Sequence, residues 1–186
     1  MFTIPNALTL LRLLLIPVFL VASFHGAYLV AFVVFVSAAL TDILDGMIAR
    51  RFNQKSRIGA ILDPAADKGL MIAGYLYYTF AGNLPRVAIP GWLTFVVLIR
   101  DALIITFAYL LYTRVHVKRF PPSWAGKTST VLQALTMVTA LAVNAFLPSL
   151  LWLAEALFRV TLLTTLFSGW DYLRRAERML LESAPA

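Results

Sequence analysis

The chain has 186 residues, of which 61% are hydrophobic and 13% charged, with a mean hydropathy of +0.82 and no cysteine. A soluble domain of this size cannot hide that much apolar surface, so composition excludes an ordinary soluble enzyme, a disordered chain and a fibrous protein. What remains is an integral membrane protein of one domain, residues 1–186, whose net charge of +7 suits anionic lipid headgroups rather than nucleic acid.

Apolar runs and their breakers predict an all-α integral membrane bundle of six transmembrane helices. The first covers about 6–24 and the second about 27–50, with a tight turn at His25-Gly26. The third covers about 60–80 and ends at Gly82-Asn83-Leu84-Pro85. Pro90-Gly91 precedes a fourth at about 92–112. A polar loop with Pro121-Pro122 leads to the fifth at about 127–145, and Pro148 opens the sixth at about 149–172. Residues 1–9 read as a short interfacial lead-in and 173–186 as a charged cytoplasmic tail. No basic segment precedes the first apolar run, so a cleavable signal is not expected.

Six spans put both termini on one side. Arg51, Lys55, Arg57, Arg114, Lys118, Arg119, Arg174, Arg175 and Arg178 all fall on that side, against Arg86 and His25 opposite. The positive-inside rule then makes both termini cytoplasmic. The acidic residues near the ends of the second and third helices then face the cytoplasm. Trp92, Trp124, Trp152 and Trp170 fall near span ends and read as interfacial belt residues.

Ionisable groups at membrane depth are costly and mark functional sites. Asp42 and Asp45 are three apart on the second helix, and Asp63 and Asp67 are four apart on the third. The connection between these helices returns one beside the other, so the four carboxylates can converge. Converging carboxylates repel unless cations sit among them. Oxygen-only donors suit Mg²⁺, Mn²⁺ or Ca²⁺, and two such ions could hold a diphosphate. The plainer reading makes these residues helix caps or partners of Arg50, Arg57 and Lys68.

The spacing is specific. Asp42, Asp45, Gly46, Ala49, Arg50, Gly59, Asp63 and Asp67 match every fixed position of a known signature. It resembles that of the CDP-alcohol phosphatidyltransferases. The resemblance extends through Ile4–Arg12, Leu62–Lys68 and Ser123–Gln133, over nearly the whole chain.

The resemblance implies transfer of a phosphatidyl group from CDP-diacylglycerol to an acceptor hydroxyl, with release of CMP. It implies that Asp42, Asp45 and Asp63 hold two divalent cations, Mg²⁺ or Mn²⁺, and that Asp67 touches a metal and is the catalytic base. Gly46, Ala49 and Gly59 then give close approach for the cytidine, and Arg50 reaches the donor phosphates. Asn6, Thr9 and Arg12 resemble positions near the donor site, or are a helix cap and an interfacial anchor. A homodimer is expected by the same resemblance.

The acceptor stays open between two subfamilies. Arg57, Arg100, Arg114 and Lys127 are the candidate acceptor residues. Lys127 and the segment Ser168–Tyr172 resemble phosphatidylglycerophosphate synthases, whose acceptor is glycerol 3-phosphate. Ser129 stands where that subfamily has a second lysine, Thr106–Leu111 lacks its arginine, and Arg100-Asp101 leans toward cardiolipin synthases, whose acceptor is phosphatidylglycerol. Glycerol 3-phosphate is the reading placed first. A small cation transporter is the third reading, disfavoured because the acidic cluster has no counterpart in the second half.

Overall fold

The computed structural model describes residues 4–52, 59–114 and 123–182, with side chains for 10–41, 68–107, 109, 113 and 123–178. Among the described residues there are six α-helices and one short 3₁₀ turn. They are α1 Ile4–Phe24, α2 Tyr28–Phe52, α3 Gly59–Phe80, α4 Gly91–Arg114, α5 Trp124–Ala145 and α6 Leu151–Glu182, with the 3₁₀ turn at Pro148–Leu150. The all-α expectation holds, and each helix starts within a few residues of its predicted position, with α6 running on to Glu182 through the segment expected to be a tail.

The six-span expectation does not hold. Among the described residues two helical stretches are long and apolar enough to cross a membrane, Trp124–Ala145 and Pro148–Arg178. The apolar stretches of α1 and α2 run over Leu10–Phe24 and Tyr28–Thr41, each shorter than the roughly 20 residues a span needs. α3 carries Asp63, Asp67 and Lys68 in its first half, and α4 carries Arg100-Asp101 at its middle. The placement of both termini in the cytoplasm rested on counting six spans and goes with it.

The chain divides into two compact units. The first contains residues 1–88 and 137–152. Here α1 packs against α2 and α3. Phe19 is the centre of the packing, 5.8 Å from the Phe35 ring and 6.2 Å from the Tyr78 ring. Gly74 allows close approach, since a Cβ there would stand 2.8 Å from Met137 Cε.

The turn after α1 has a local cause. Gly26 has φ +72°, the left-handed region that favours glycine. Its N–H donates to Ser23 O at 3.1 Å, and Ala27 N–H donates to Ala22 O at 2.9 Å. This pairing closes the helix end and satisfies its last carbonyls. Tyr77 Oη donates to Ser23 O at 2.7 Å, and Tyr28 Oη donates to Asn83 O at 2.6 Å. The α1–α2 turn is thereby tied to the segment after α3.

Asn144, near the end of α5, organises the approach to α4. Its Oδ1 accepts from Arg86 N at 3.1 Å and Val87 N at 3.2 Å, while Nδ2 donates to Val87 O at 2.8 Å. Arg86 Nη1 donates to Asn144 O at 2.9 Å. An irregular segment whose backbone groups are buried needs such partners. Asn144→Ala is expected to destabilise the protein by about 2 kcal/mol, because buried backbone groups lose their partners. Thermal unfolding in detergent checks this, and an unchanged midpoint would show that the segment finds other partners.

Candidate active site

The signature residues lie in the first unit, on consecutive helices. Asp42, Asp45, Gly46, Ala49 and Arg50 fall in the C-terminal half of α2, and Gly59, Asp63 and Asp67 in the N-terminal half of α3. Residues 53–58 join the two halves. Asn6 and Thr9 fall in the first turns of α1, and Arg114 is the last residue of α4. The side chains of these residues lie outside the described ones, and Arg57 lies outside the described residues altogether. Among the described residues no group of three or more His, Asp or Glu could hold a metal. The four carboxylates are not part of that set.

Arg12 departs from the plainer reading of an interfacial anchor. It lies on α1, which packs against both α2 and α3, and it is 1% exposed. A guanidinium buried that far belongs to the interior of the unit that bears the carboxylates.

The second unit contains residues 89–136 and 153–186. Its centre is Arg100 on α4, which is 5% exposed. Arg100 Nε and Nη2 donate to Ser168 Oγ on α6 at 3.2 and 2.7 Å. Nη2 also donates to Gly126 O on α5 at 3.2 Å, and Nη1 pairs with Asp101 Oδ1 at 2.8 Å. The Tyr172 ring lies 5.7 Å from the guanidinium carbon. Charge-assisted bonds of this kind are about twice as strong as neutral ones. Here they join three helices through one side chain.

The same cluster fixes the start of α5. Ser123 Oγ accepts from Gly126 N at 2.9 Å, the bond of an N-cap. Ser123 N donates to Tyr172 Oη at 3.3 Å. Gly126 permits this contact, since a Cβ there would stand 2.8 Å from the Tyr172 ring. Lys127 is the next residue. It is exposed, and its ammonium lies 5.4 Å from the centre of the Trp124 ring. The clamp therefore sets the position of Lys127 without touching it.

Below the clamp, α5 and α6 meet along hydroxyls and an amide. Ser129 Oγ lies 3.1 Å from Thr165 Oγ1, and Gln133 Nε2 donates to both at 3.2 Å. Thr136 and Thr161 hydroxyls lie 2.7 Å apart. Such groups join helices where apolar surroundings give no hydrophobic drive.

Of the four candidate acceptor residues, Arg100 and Lys127 have described side chains. Arg100 is engaged in holding helices together, so its place is that of a positioning residue. Ser123, Gly126, Ser168 and Tyr172 are positions of the clamp that residue-by-residue reasoning did not assign. Their signal lay in the segments Ser123–Gln133 and Ser168–Tyr172, noticed for resemblance alone.

Ser168→Ala removes two of the bonds to Arg100 and leaves a buried donor without its acceptor. We expect a loss of about 1–3 kcal/mol of stability. Thermal unfolding of the purified variant measures it, and a midpoint equal to wild type would contradict the role given to the clamp.

Residues 2–167 match the CDP-alcohol phosphatidyltransferase family. The chain is 36% identical over 179 residues to a probable phosphatidylglycerophosphate synthase of Mycobacterium tuberculosis, covering 93% of this chain and 81% of that one. It is 35% identical over 187 residues to a CDP-diacylglycerol–glycerol-3-phosphate 3-phosphatidyltransferase of Salmonella typhimurium, covering 97% and 98%. It is 32% identical over 186 residues to a CMP-forming cardiolipin synthase of Rattus norvegicus, covering 91% and 60%. With all eight signature positions present and the match spanning most of its length, the chain belongs to the CDP-alcohol phosphatidyltransferase family.

Proposed function

We propose that this enzyme is a phosphatidylglycerophosphate synthase, taking CDP-diacylglycerol as donor and glycerol 3-phosphate as acceptor. The observation that carries the choice is the end-to-end likeness to the Salmonella glycerol-3-phosphate transferase, which covers 98% of that protein. The likeness to rat cardiolipin synthase covers 60% of that protein and supports phosphatidylglycerol as the second reading.

One sequence feature that leaned away from glycerol 3-phosphate loses weight. Ser129 is fully buried and hydrogen-bonded to Thr165. The absence of a lysine there therefore removes no exposed charge from the start of α5.

Family members are associated with divalent cations, and the donor set fits them. Four carboxylates offer hard oxygen ligands, with no sulfur or nitrogen among the signature positions. Asp42, Asp45 and Asp63 would hold two Mg²⁺ or Mn²⁺ ions, with Asp67 touching one of them. Bound there, the ions offset the charge of the donor diphosphate and of departing CMP.

Asp67 takes the proton of the acceptor hydroxyl as its oxygen attacks the lipid-side phosphorus. The bond between that phosphorus and the bridging oxygen breaks, and CMP leaves with the electron pair. A positioned carboxylate is needed because a neutral alcohol is a weak nucleophile at pH 7. Arg50 holds donor phosphate oxygens through its planar fork. Gly46, Ala49 and Gly59 keep room for the cytidine, with Asn6 and Thr9 beside it. Arg57, Arg114 and Lys127 supply positive charge to the acceptor phosphate, and Arg100 keeps Lys127 in place.

The setting is the bacterial cell membrane, with the carboxylates facing the cytoplasm. Arg50, Arg51, Lys55 and Arg57 lie between Asp45 and Asp63 in the sequence, and basic residues favour the cytoplasmic side. A homodimer, with no nucleic acid partner, completes the proposal.

Asp67→Asn is expected to lower transfer by about 10²–10⁴-fold while CDP-diacylglycerol binding persists. Turnover and donor titration on one preparation check this, and loss of donor binding would make Asp67 a metal-holding residue instead. Asp42→Ala is expected to weaken Mn²⁺ binding in a direct titration. Full activity with unchanged Mn²⁺ affinity in that variant would sink the two-ion reading.

A further inference from the structure

The exposed side of the C-terminal part of α6 has no place in the chemistry above, yet it is organised. Among the exposed residues of α6 are Val160, Leu163, Leu166, Phe167, Trp170 and Leu173. Beyond Trp170 come Arg174 and Arg178, each one turn further on, and both are exposed. α6 lies in a stretch long and apolar enough to cross a membrane, and its exposed apolar side suits lipid tails.

Two tryptophans give the depth. Trp152 is 67% exposed near the start of α6 and Trp170 is 49% exposed further on. At 1.5 Å per residue they stand about 27 Å apart along the axis, close to the roughly 30 Å of bilayer hydrocarbon. Glu155 and Arg159 lie toward the Trp152 end, leaving the Trp170 end without a charge until Asp171. Tryptophans of this kind sit at the headgroup level. Arg174 and Arg178 then lie about 6 and 12 Å beyond it, among the phosphates.

The side chains at this end are arranged in advance. The Arg174 guanidinium carbon lies 3.8 Å from the centre of the Trp170 ring, and Phe167 packs 6.0 Å from the same ring. Arg175 Nε pairs with Asp171 Oδ2 at 3.1 Å. That pair is internally compensated, so Arg174 and Arg178 supply the positive charge. Trp170, Asp171, Arg174, Arg175 and Arg178 line a cleft of about 400 Å³, and Glu177 is not part of its lining.

We propose that this cleft binds the headgroup phosphate of an anionic phospholipid whose tails lie along the apolar side of α6. The occupant follows from two features together. The basic cleft selects an anion, and the apolar stripe that leads into it selects one attached to acyl chains. Arg174, stacked on the Trp170 ring, presents a fork already oriented toward phosphate oxygens. The enzyme would thereby retain anionic lipid outside its catalytic carboxylates.

Native mass spectrometry of the full-length protein in detergent tests the proposal, with short-chain phosphatidylglycerol and phosphatidylcholine as probes. Wild type is expected to retain phosphatidylglycerol over phosphatidylcholine. Arg174→Gln and Arg178→Gln are expected to weaken it by about 5-fold each and about 25-fold together. Inorganic phosphate and glycerol 3-phosphate are expected not to displace the lipid. Equal retention by wild type and the double variant would overturn the proposal. Displacement by either soluble phosphate would also overturn it and make the cleft a site for soluble anions. Should the double variant fail to fold, Trp170→Leu removes the ring while keeping both charges, and unchanged retention there would equally refute the site.

Discussion

Arg100 sits at the middle of α4 with 5% exposure, and burying a guanidinium there is costly unless neighbouring groups replace water. Every group that does so comes from a defined place: Ser168 and Tyr172 on α6, Gly126 on α5 and Asp101 beside it. The requirement works in reverse as well. To satisfy one charge, three helices must hold a fixed register, and the first turn of α5 must lie against Tyr172. The N-cap at Ser123, the glycine at position 126 and the location of Lys127 all follow from that register. The α5–α6 seam of Ser129, Gln133, Thr136, Thr161 and Thr165 extends the same logic. Polar groups pair with polar groups, and the helices cannot slide without breaking them.

The first unit uses different means. Aromatic packing around Phe19 and the closed turn at Gly26 set α1 against α2 and α3. Those two helices bear the eight signature residues in their adjoining halves. Placing the four carboxylate residues on regular helices, rather than on loops, fixes their spacing along the chain. The division of labour is chemical. The acidic signature residues lie in one unit, and the Arg100 clamp that precedes Lys127 lies in the other.

Much of this was legible in the sequence because its signals are local. Breakers at His25-Gly26, Gly82–Pro85 and Pro90-Gly91 mark real helix ends. The signature fixes chemistry by spacing along two helices, which needs no tertiary information. α6 runs on to Glu182, past the predicted end at 172, because residues 173–182 are mostly good helix formers with no glycine or proline. The six-span expectation failed because counting apolar residues treated charged turns such as Arg100-Asp101 as tolerable interruptions. The clamp was illegible for a different reason. Ser168 lies 68 residues from Arg100, and nothing in either segment names the other. The ion pair with the adjacent Asp101 was legible, whereas the partners on α5 and α6 were not.

The acceptor decides between the two readings of this enzyme. CMP release by the purified protein should be measured with CDP-diacylglycerol and Mg²⁺ or Mn²⁺, offering glycerol 3-phosphate and phosphatidylglycerol separately. The account predicts turnover with glycerol 3-phosphate, dependent on the divalent cation, and none with phosphatidylglycerol. Turnover with phosphatidylglycerol alone would contradict it and make the enzyme a cardiolipin synthase.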